Sequence, residues 1–216
     1  MFKKSFLTGT VALIIASFIT VSWAAELLPI KLPPSNLNSG KSLMQSLQAR
    51  KSSRDFSTKK LPVEVLSNLL WAANGINRPE SGRRTAPSAV NWQEIDVYVA
   101  MADGLYLYNA KEHVLKPVIK QDIQELTGKQ PFVKEAPVNL IYVADYSRMG
   151  GGSAEERNFY SAADAAFISQ NVYLYCASEG LATVVRGSIN RDILAKAMQL
   201  RDNQKIILSQ TVGYPK

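Results

Sequence analysis

The strongest constraint on the fold is a long helical segment, Ala154 to Glu179, that is apolar almost all the way round. Gly180 follows it, a residue that commonly ends a helix. A surface helix normally has one apolar face. This segment has apolar residues on several faces, so we expect it to be buried either at the centre of the domain or against a partner subunit. Those residues are Phe159, Ala162, Ala163, Ala166, Phe167, Ile168, Val172, Leu174 and Ala177.

The remaining pattern predicts helices and strands around one sheet, an α+β domain. Helices are predicted at 42–49, 62–71 and 190–198. Strands are predicted at 94–102, 105–108, 138–144, 181–185 and 205–212, with a hairpin turn at Asp103-Gly104. A chain of 216 residues that is 46% hydrophobic is large enough to form one compact domain with a full core.

The N-terminus has the pattern of an export signal. Lys3 and Lys4 precede an apolar run from Val11 to Val21, and small residues follow at Ala24 and Ala25. This run is short for a bilayer span of roughly 20 residues, so we expect cleavage rather than a stable membrane anchor. Residues 1–25 are therefore predicted to be a signal peptide, which would place the mature protein in the periplasm or outside the cell.

The segment after the signal is rich in Pro, Ser, Asn and Gly and has no sustained period. We therefore expect residues 26–40 to form an extended leader on the surface. Residues 41–216 are predicted to form a single domain.

Composition excludes several classes of site. The chain has one cysteine, Cys176, and one histidine, His113. No metal site is expected from them, and no disulfide can form within the chain. The net charge of +7 is moderate and the basic residues are dispersed, so no nucleic-acid partner is expected. We interpret His113 as a solvated loop residue and Cys176 as a buried, inert thiol.

A basic cluster directly follows the first predicted helix. Arg50-Lys51-Ser52-Ser53-Arg54-Asp55-Phe56 places three cations and two hydroxyls within five residues. Such donors suit a phosphate group, and Arg54 could reach a second acceptor on the same ligand. A solvated basic loop would have the same composition, so this segment alone leaves both interpretations open.

Two further segments could contact a ligand. The first, Arg84 to Trp92, combines small residues with a proline, hydroxyls and the Asn91 amide, so its backbone could approach a flat ligand closely. The second, Thr183-Val184-Val185-Arg186-Gly187, ends a predicted strand and could present backbone N–H groups and one cation. An ordinary loop with a helix cap is the alternative for the first segment.

Together these segments resemble the nitroreductase family of flavin mononucleotide (FMN) enzymes. The basic cluster is similar to that family's Arg-Arg-Ser-x-Arg-x-Phe signature, and residues 66–76 and 84–89 are similar to its next two blocks. The hairpin 104–108 and Glu179-Gly180-Leu181 resemble the SagB-type dehydrogenase branch. The resemblance implies a mixed, mainly antiparallel sheet flanked by helices, with the long helix at a homodimer interface.

The resemblance also implies site residues. Arg50, Lys51 and Ser52 would hold the FMN phosphate and ribityl end, and Arg54 would reach the N1/O2 edge of the flavin ring. The ring would be lined, across the subunit boundary, by Pro87, Ser88, Ala89 and Asn91, with Gln130 supplying an amide.

By the same resemblance, the segment 183–187 would complete this site. Val184 and Val185 would offer backbone N–H groups towards flavin N5, and Arg186 with Gly187 would complete the phosphate side.

The expected function is an FMN-dependent oxidoreductase that passes hydride through N5 in a ping-pong cycle between a small-molecule donor and acceptor. Azoline-oxidising relatives use a Lys-Tyr pair that this chain lacks, so thiazole formation is not expected. Two alternatives remain open: a flavin-binding module without turnover, and a cofactor-free interaction protein on the same fold.

Overall fold

A computed structural model of the chain describes residues 26–216, and the predicted signal peptide lies outside the described residues. The helices are α1 (Leu43–Ala49), α2 (Val63–Asn74), α3 (Phe132–Glu135), α4 (Ala154–Glu179) and α5 (Arg191–Ala197). The strands are β1 (Ile30–Lys31), β2 (Ile76–Arg78), β3 (Arg83–Arg84), β4 (Ile95–Met101), β5 (Gly104–Asn109), β6 (Val114–Ile119), β7 (Val138–Asp145), β8 (Ala182–Arg186) and β9 (Gln204–Gly213).

Seven of these strands form the central sheet, in the order β1-β6-β5-β4-β7-β9-β8. Every pairing between its neighbours is antiparallel. The predicted α+β class with a mainly antiparallel sheet is therefore confirmed. β8 lies at one end of this order, which leaves its outer side available to loops. β2 and β3 form a separate hairpin.

The sheet separates two cores. On one face, α2 and α4 pack against alternate residues of the central strands, such as Leu140 and Tyr142 of β7. On the other face, α5 packs against the intervening residues Ile141 and Val143. This alternation follows from the two-residue period of a strand. All of β7 is buried because helical layers cover both of its faces.

The sequence predicts α4 accurately at both ends. Ser153 and Glu156 form a reciprocal capping box at its start, and Gly180 ends it with a left-handed φ of 71°. One face of α4 packs on the sheet, through residues that include Ile168, Val172 and Cys176. Another face is open within one chain and carries Phe159, Ala162, Ala166 and Phe167.

Several elements were not predicted. β1 belongs to the segment expected to be an extended leader, and it pairs with β6. The β2–β3 hairpin and β6 itself also escaped prediction. Among the described residues, no helix has the length and apolar character needed to cross a membrane.

Candidate functional site

The predicted basic cluster forms a loop that is fixed at three points. Its first residue, Arg50, caps α1 through an N–H bond to the Ser46 carbonyl at 2.9 Å. Ser53 N–H donates to the Thr183 carbonyl of β8 at 2.9 Å. Phe56 is buried and forms a β-bridge with Pro215. The loop therefore lies along the outer side of β8 with a defined backbone.

Tyr173 of α4 contacts this loop and fixes its position against the helix. Its hydroxyl lies 2.8 Å from the Ser52 hydroxyl and accepts the Val185 N–H at 3.0 Å. The Arg50 guanidinium lies over the Tyr173 ring, 5.4 Å from its centroid. Sequence reasoning missed Tyr173, because an aromatic residue inside an apolar helix gives no sign that its hydroxyl reaches a loop.

The charged side chains of this loop face solvent. Lys51 and Arg54 are exposed, and neither makes a hydrogen bond or ion pair with the described residues. A cavity of about 340 Å³ opens between the loop, the end of α4 and β8, and Lys51, Ser53, Tyr173 and Thr183 are among its lining residues. Lys51 lines this cavity and can bind an anion there without first breaking internal contacts, and the uncommitted Arg54 follows Ser53 on the same loop.

The backbone donors expected from Val184 and Val185 are engaged within the chain. Val185 N–H already bonds to Tyr173. The Thr183 C=O and the Val185 N–H both point away from β9. Because the backbone groups of successive strand residues alternate in direction, the N–H and C=O of Val184 point towards its partner Thr211 in β9. The predicted role of Val184 and Val185 towards flavin N5 stays a prediction, and it would require the Val185 N–H to exchange or share its Tyr173 partner.

The Arg186 side chain is buried within the domain. Its side chain points to the opposite face of β8 from Thr183 and Val185, because successive residues of a strand alternate. Its guanidinium is buried and donates to the Thr127 carbonyl at 2.9 Å, to Asn139 Oδ1 at 3.0 Å and to Thr211 Oγ1 at 2.8 Å.

Burial lowers the pKa of Arg186 to about 10. Its hydrogen bonds link β8 to β7 and β9, and the predicted contact of Arg186 with a phosphate stays a prediction. Gly187, which follows it, is exposed at the end of the same strand.

Gln130 lies in the same neighbourhood. Its Oε1 atom is buried and has no hydrogen-bond partner among the described residues. A side chain on Gly128 would collide with the Arg186 guanidinium and come within 3.1 Å of Gln130 Oε1, so the glycine permits this close packing. Its predicted contact with a ligand stays a prediction, since this oxygen is closed off from solvent beside Arg186.

The predicted ring-lining segment forms a second loop, fixed to the middle of α4. Ala89 N–H donates to Asp164 Oδ2 at 2.8 Å, and Gln93 N–H donates to Ser88 Oγ at 3.0 Å. Pro87 and Asn91 are exposed on this loop. Asp164 thus satisfies a backbone donor of this loop.

The two loops contact α4 at different levels. One is held at Tyr173 and the other at Asp164, which lie about 13 Å apart along a helix that rises 1.5 Å per residue. One chain therefore presents the phosphate-type donors and the flat, small-residue loop as separate surfaces.

His113 is not the solvated residue that the sequence suggested. Its Nδ1 lies 3.0 Å from the Tyr108 hydroxyl, and its Nε2 lies 2.7 Å from the Ser67 hydroxyl and 3.1 Å from the Pro33 carbonyl. Partial burial lowers its pKa. His113 thus ties the leader to α2 and β5, away from the basic loop.

Cys176 is fully buried, and burial raises the pKa of its thiol. This confirms the interpretation of an inert thiol. Within residues 26–216, no group of three or more His, Cys, Asp or Glu side chains is arranged to hold a metal ion.

The chain is similar to known proteins over most of its length. Residues 47–214 match the family model described as the nitroreductase family. A solved structure from Ralstonia eutropha JMP134, provisionally assigned as a nitroreductase, is 46% identical with a TM-score of 0.83, covering 87% of this chain and 90% of that one.

Two more distant proteins show the same similarity. A provisionally assigned nitroreductase of Methanocaldococcus jannaschii is 28% identical over 169 residues, which is 74% of this chain and 85% of that protein. The NADPH:FMN oxidoreductase of Vibrio harveyi, solved with NAD+, is 17% identical with a TM-score of 0.61, covering 81% of this chain and 69% of that one. The last likeness is one of fold.

Proposed function

This chain belongs to the nitroreductase family and has oxidoreductase relatives, and from that premise we propose that it is an FMN-dependent oxidoreductase acting on small molecules. The observation that carries the proposal is the basic loop on β8. Its backbone is fixed by Ser53 and Phe56, while Lys51, which lines a cavity, and the exposed Arg54 stay uncommitted. The Vibrio harveyi enzyme, which shares the fold, is named for FMN.

The residues present fit an FMN phosphate. The Arg50 guanidinium lies over the Tyr173 ring, and the Ser52 hydroxyl hydrogen-bonds the Tyr173 hydroxyl. Lys51 supplies an exposed positive charge. Charge-assisted hydrogen bonds from such groups are the strong contacts to a dianion. Arg54 would reach the edge of the ring that gains negative charge on reduction.

Bound FMN would supply hydride chemistry through its N5 atom. The chain's own residues would orient it and leave one ring face open, so that donor and acceptor bind in turn. The Arg54 guanidinium would stabilise the negative charge that develops on reduction once the bound flavin holds it in place and excludes water from it. Gln130 would offer its unpartnered amide oxygen to the bound molecule.

We further propose a homodimer assembled through α4. Phe159 and Phe167 are 68% and 49% exposed, and Ala162 and Ala166 lie between them on the same open face. A second copy packed there would cover these apolar groups and bring its own loop 87–91 towards the basic loop. This arrangement would unite the two surfaces that one chain holds apart.

The enzyme is proposed to act after export, in the periplasm or outside the cell. Support comes from the N-terminal pattern of two lysines, an apolar run and small residues. N-terminal sequencing of the protein recovered from the host would test this, with a new terminus at about residue 25 as the expected result.

Titration of purified apoprotein with FMN tests the cofactor. Binding that quenches flavin fluorescence and is weakened at least tenfold by Arg50→Ala is expected, since a charge-assisted contact contributes about 1.5 to 3 kcal/mol. Lys111→Ala, an exposed lysine on the turn between β5 and β6, strands that lie away from β8 in the sheet order, is the control and should bind normally.

The same purified protein also distinguishes the enzyme from the two alternatives, a cofactor-free interaction protein and a flavin-binding module without turnover. No FMN uptake by folded protein would favour a cofactor-free interaction protein and would contradict the proposal. Uptake without reduction by any donor, in an anaerobic screen, would favour a flavin-binding module without turnover. Reduction followed by reoxidation by an added acceptor would support the enzyme.

A further inference from the structure

A pair of buried carboxyl groups lies beneath the second loop and has no part in the proposed chemistry. Glu94 is 0% exposed and precedes β4, and Asp164 of α4 is 3% exposed beside it. Neither carboxylate oxygen of Glu94 has a hydrogen-bond donor among the described residues. Asp164 Oδ2, in contrast, accepts the Ala89 N–H at 2.8 Å.

The cations nearest to this pair are committed elsewhere. Arg148 donates to the Glu94 backbone carbonyl at 2.6 Å and pairs with Asp96 at 2.8 Å. Arg84 donates to the Asn74 carbonyl at 3.0 Å and to Gln93 Oε1 at 2.9 Å. Neither guanidinium therefore forms an ion pair with the Glu94 or Asp164 carboxyl group.

The other titratable groups facing the pair come from the turn 146–148 and from the start of α4. Tyr146 lies close enough to Glu94 to sense its charge, and its hydroxyl donates to Asn158 at 2.5 Å. Arg157 stacks over the Tyr146 ring at 5.8 Å. None of these groups hydrogen-bonds a Glu94 carboxylate oxygen.

Two adjacent buried carboxyl groups with no ion-pair partner strongly disfavour being ionised together, so they share one proton until the pH rises above the pKa of the pair. Burial, reinforced by the neighbouring Asp164, raises the pKa of Glu94 to about 7. Burial raises the pKa of Asp164 as well, but the Ala89 N–H and Glu94 favour its ionised form. Glu94 is therefore the member of the pair that favours holding the proton.

The loop above this pair has a conformation that needs support. Val90, Asn91 and Gln93 have φ values of 52°, 59° and 49°, in the left-handed region. A β-branched residue such as Val90 rarely adopts this region, and such backbone persists only where its surroundings fix it. The bond from Ala89 to Asp164 is one of the contacts that fix it.

We propose that Glu94 is a positioning residue, which as a neutral acid hydrogen-bonds Asp164 and so allows Asp164 to hold the loop 87–93 in its left-handed conformation. Loss of the Glu94 proton places two like charges side by side and weakens the hold on Ala89. The loop is thereby coupled to pH near neutrality. That this loop lines a flavin rests on the proposed function.

NMR titration of the folded apoprotein tests the proposal directly. With ¹³C-labelled glutamate and ¹⁵N-labelled backbone, we expect the Glu94 carboxyl signal and the Ala89 amide signal to titrate together with a midpoint near 7. In Glu94→Gln, which keeps a donor but cannot ionise, the Ala89 amide should not move between about pH 6 and pH 8.

Two variants complete the design. Asp164→Asn removes the second charge, so the Glu94 midpoint should fall and the Ala89 amide signal should shift at every pH. Glu125→Gln, an exposed acid, is the control and should leave the Ala89 titration as in the wild type. A Glu94 midpoint near the ordinary glutamate value, or equal Ala89 titrations in wild type and Glu94→Gln, would overturn the proposal.

FMN binding supplies the functional readout. Between pH 6 and pH 8 the ratio of the wild-type FMN affinity to that of Glu94→Gln should fall about fivefold, the equivalent of one hydrogen bond, since ionisation of the FMN phosphate changes both affinities alike. An unchanged ratio would overturn the coupling to the ligand. If no FMN binds at either pH, the proposed function fails, while the NMR titration still decides the role of Glu94.

Discussion

The Tyr173 hydroxyl lies 2.8 Å from the Ser52 hydroxyl, so a residue in the core-facing part of α4 sets the position of an exposed basic loop. The same oxygen accepts the Val185 N–H. A single atom thus connects the helix, the edge strand and the loop. Removing it should affect ligand affinity and stability together.

Tyr173→Phe keeps the ring under Arg50 but deletes this oxygen. The Val185 N–H loses its partner, and an unsatisfied buried donor costs about 1 to 3 kcal/mol of unfolding free energy. FMN should bind more weakly as well, measured by fluorescence titration. Tyr175→Phe removes a hydroxyl that donates to the Val65 carbonyl, and should leave FMN affinity unchanged. Equal FMN affinities for the two variants would contradict the role of Tyr173.

Arg186→Met should destabilise the fold by about 3 kcal/mol, because three acceptors lose a buried cation. Urea denaturation followed by circular dichroism measures this change. Arg83→Met on the exposed hairpin should change the unfolding free energy by no more than about 0.5 kcal/mol. If Arg186→Met kept full stability and lost only FMN affinity, Arg186 would be a ligand residue after all.

Phe167→Asp places a charge in the open apolar face of α4. A buried, unpaired charge at an interface is strongly unfavourable, so the proposed dimer should dissociate. Sedimentation velocity at micromolar concentration should show a dimer for the wild type and a monomer for the variant. Val118→Asp, at an exposed position of β6, should remain dimeric. A monomeric wild type would reject the dimer.

The free energy of unfolding should fall as the pH rises from about 5 to 8. The folded-state pKa of Glu94 is raised from its ordinary value of 4.5 to about 7, so the folded protein holds this proton more tightly than the unfolded chain. That contribution is complete below pH 4.5 and is lost as the pH rises through 7. The loss should be about 2 kcal/mol.

Chemical denaturation across this pH range measures the effect. In Glu94→Gln the unfolding free energy should vary less over the same interval, because the residue that titrates has been removed. Glu125→Gln should follow the wild type. A wild-type curve as flat as that of Glu94→Gln would show that Glu94 titrates alike in both states.

The sequence predicts α4 and the central hairpin because their signals are local. Ser153, Gly180 and the Asp103-Gly104 turn act within a few residues of their own position. β6 escaped prediction because it contains Pro117, which removes a donor from the ladder. The register shifts between Leu105 and Tyr106 of the paired strand, beside this proline.

The candidate site was predicted in its segments but not in its contacts. The basic loop follows α1 as expected, yet its support by Tyr173 joins residues more than a hundred positions apart in the chain. Arg186 looked like a free cation because a short strand does not reveal which face a residue takes. Glu94 gave no signal, since its burial depends on where α4 crosses β4.

The position of Cys176 has a practical consequence for handling the protein. The only sulfhydryl of the chain is at 0% exposure and resists ionisation. Oxidants in solution therefore cannot link two copies by a disulfide until both copies have opened and exposed this thiol. The native protein should therefore stay free of disulfide-linked dimers during long storage in air without a reducing agent. A covalent dimer on a non-reducing gel would indicate that the protein had unfolded beforehand.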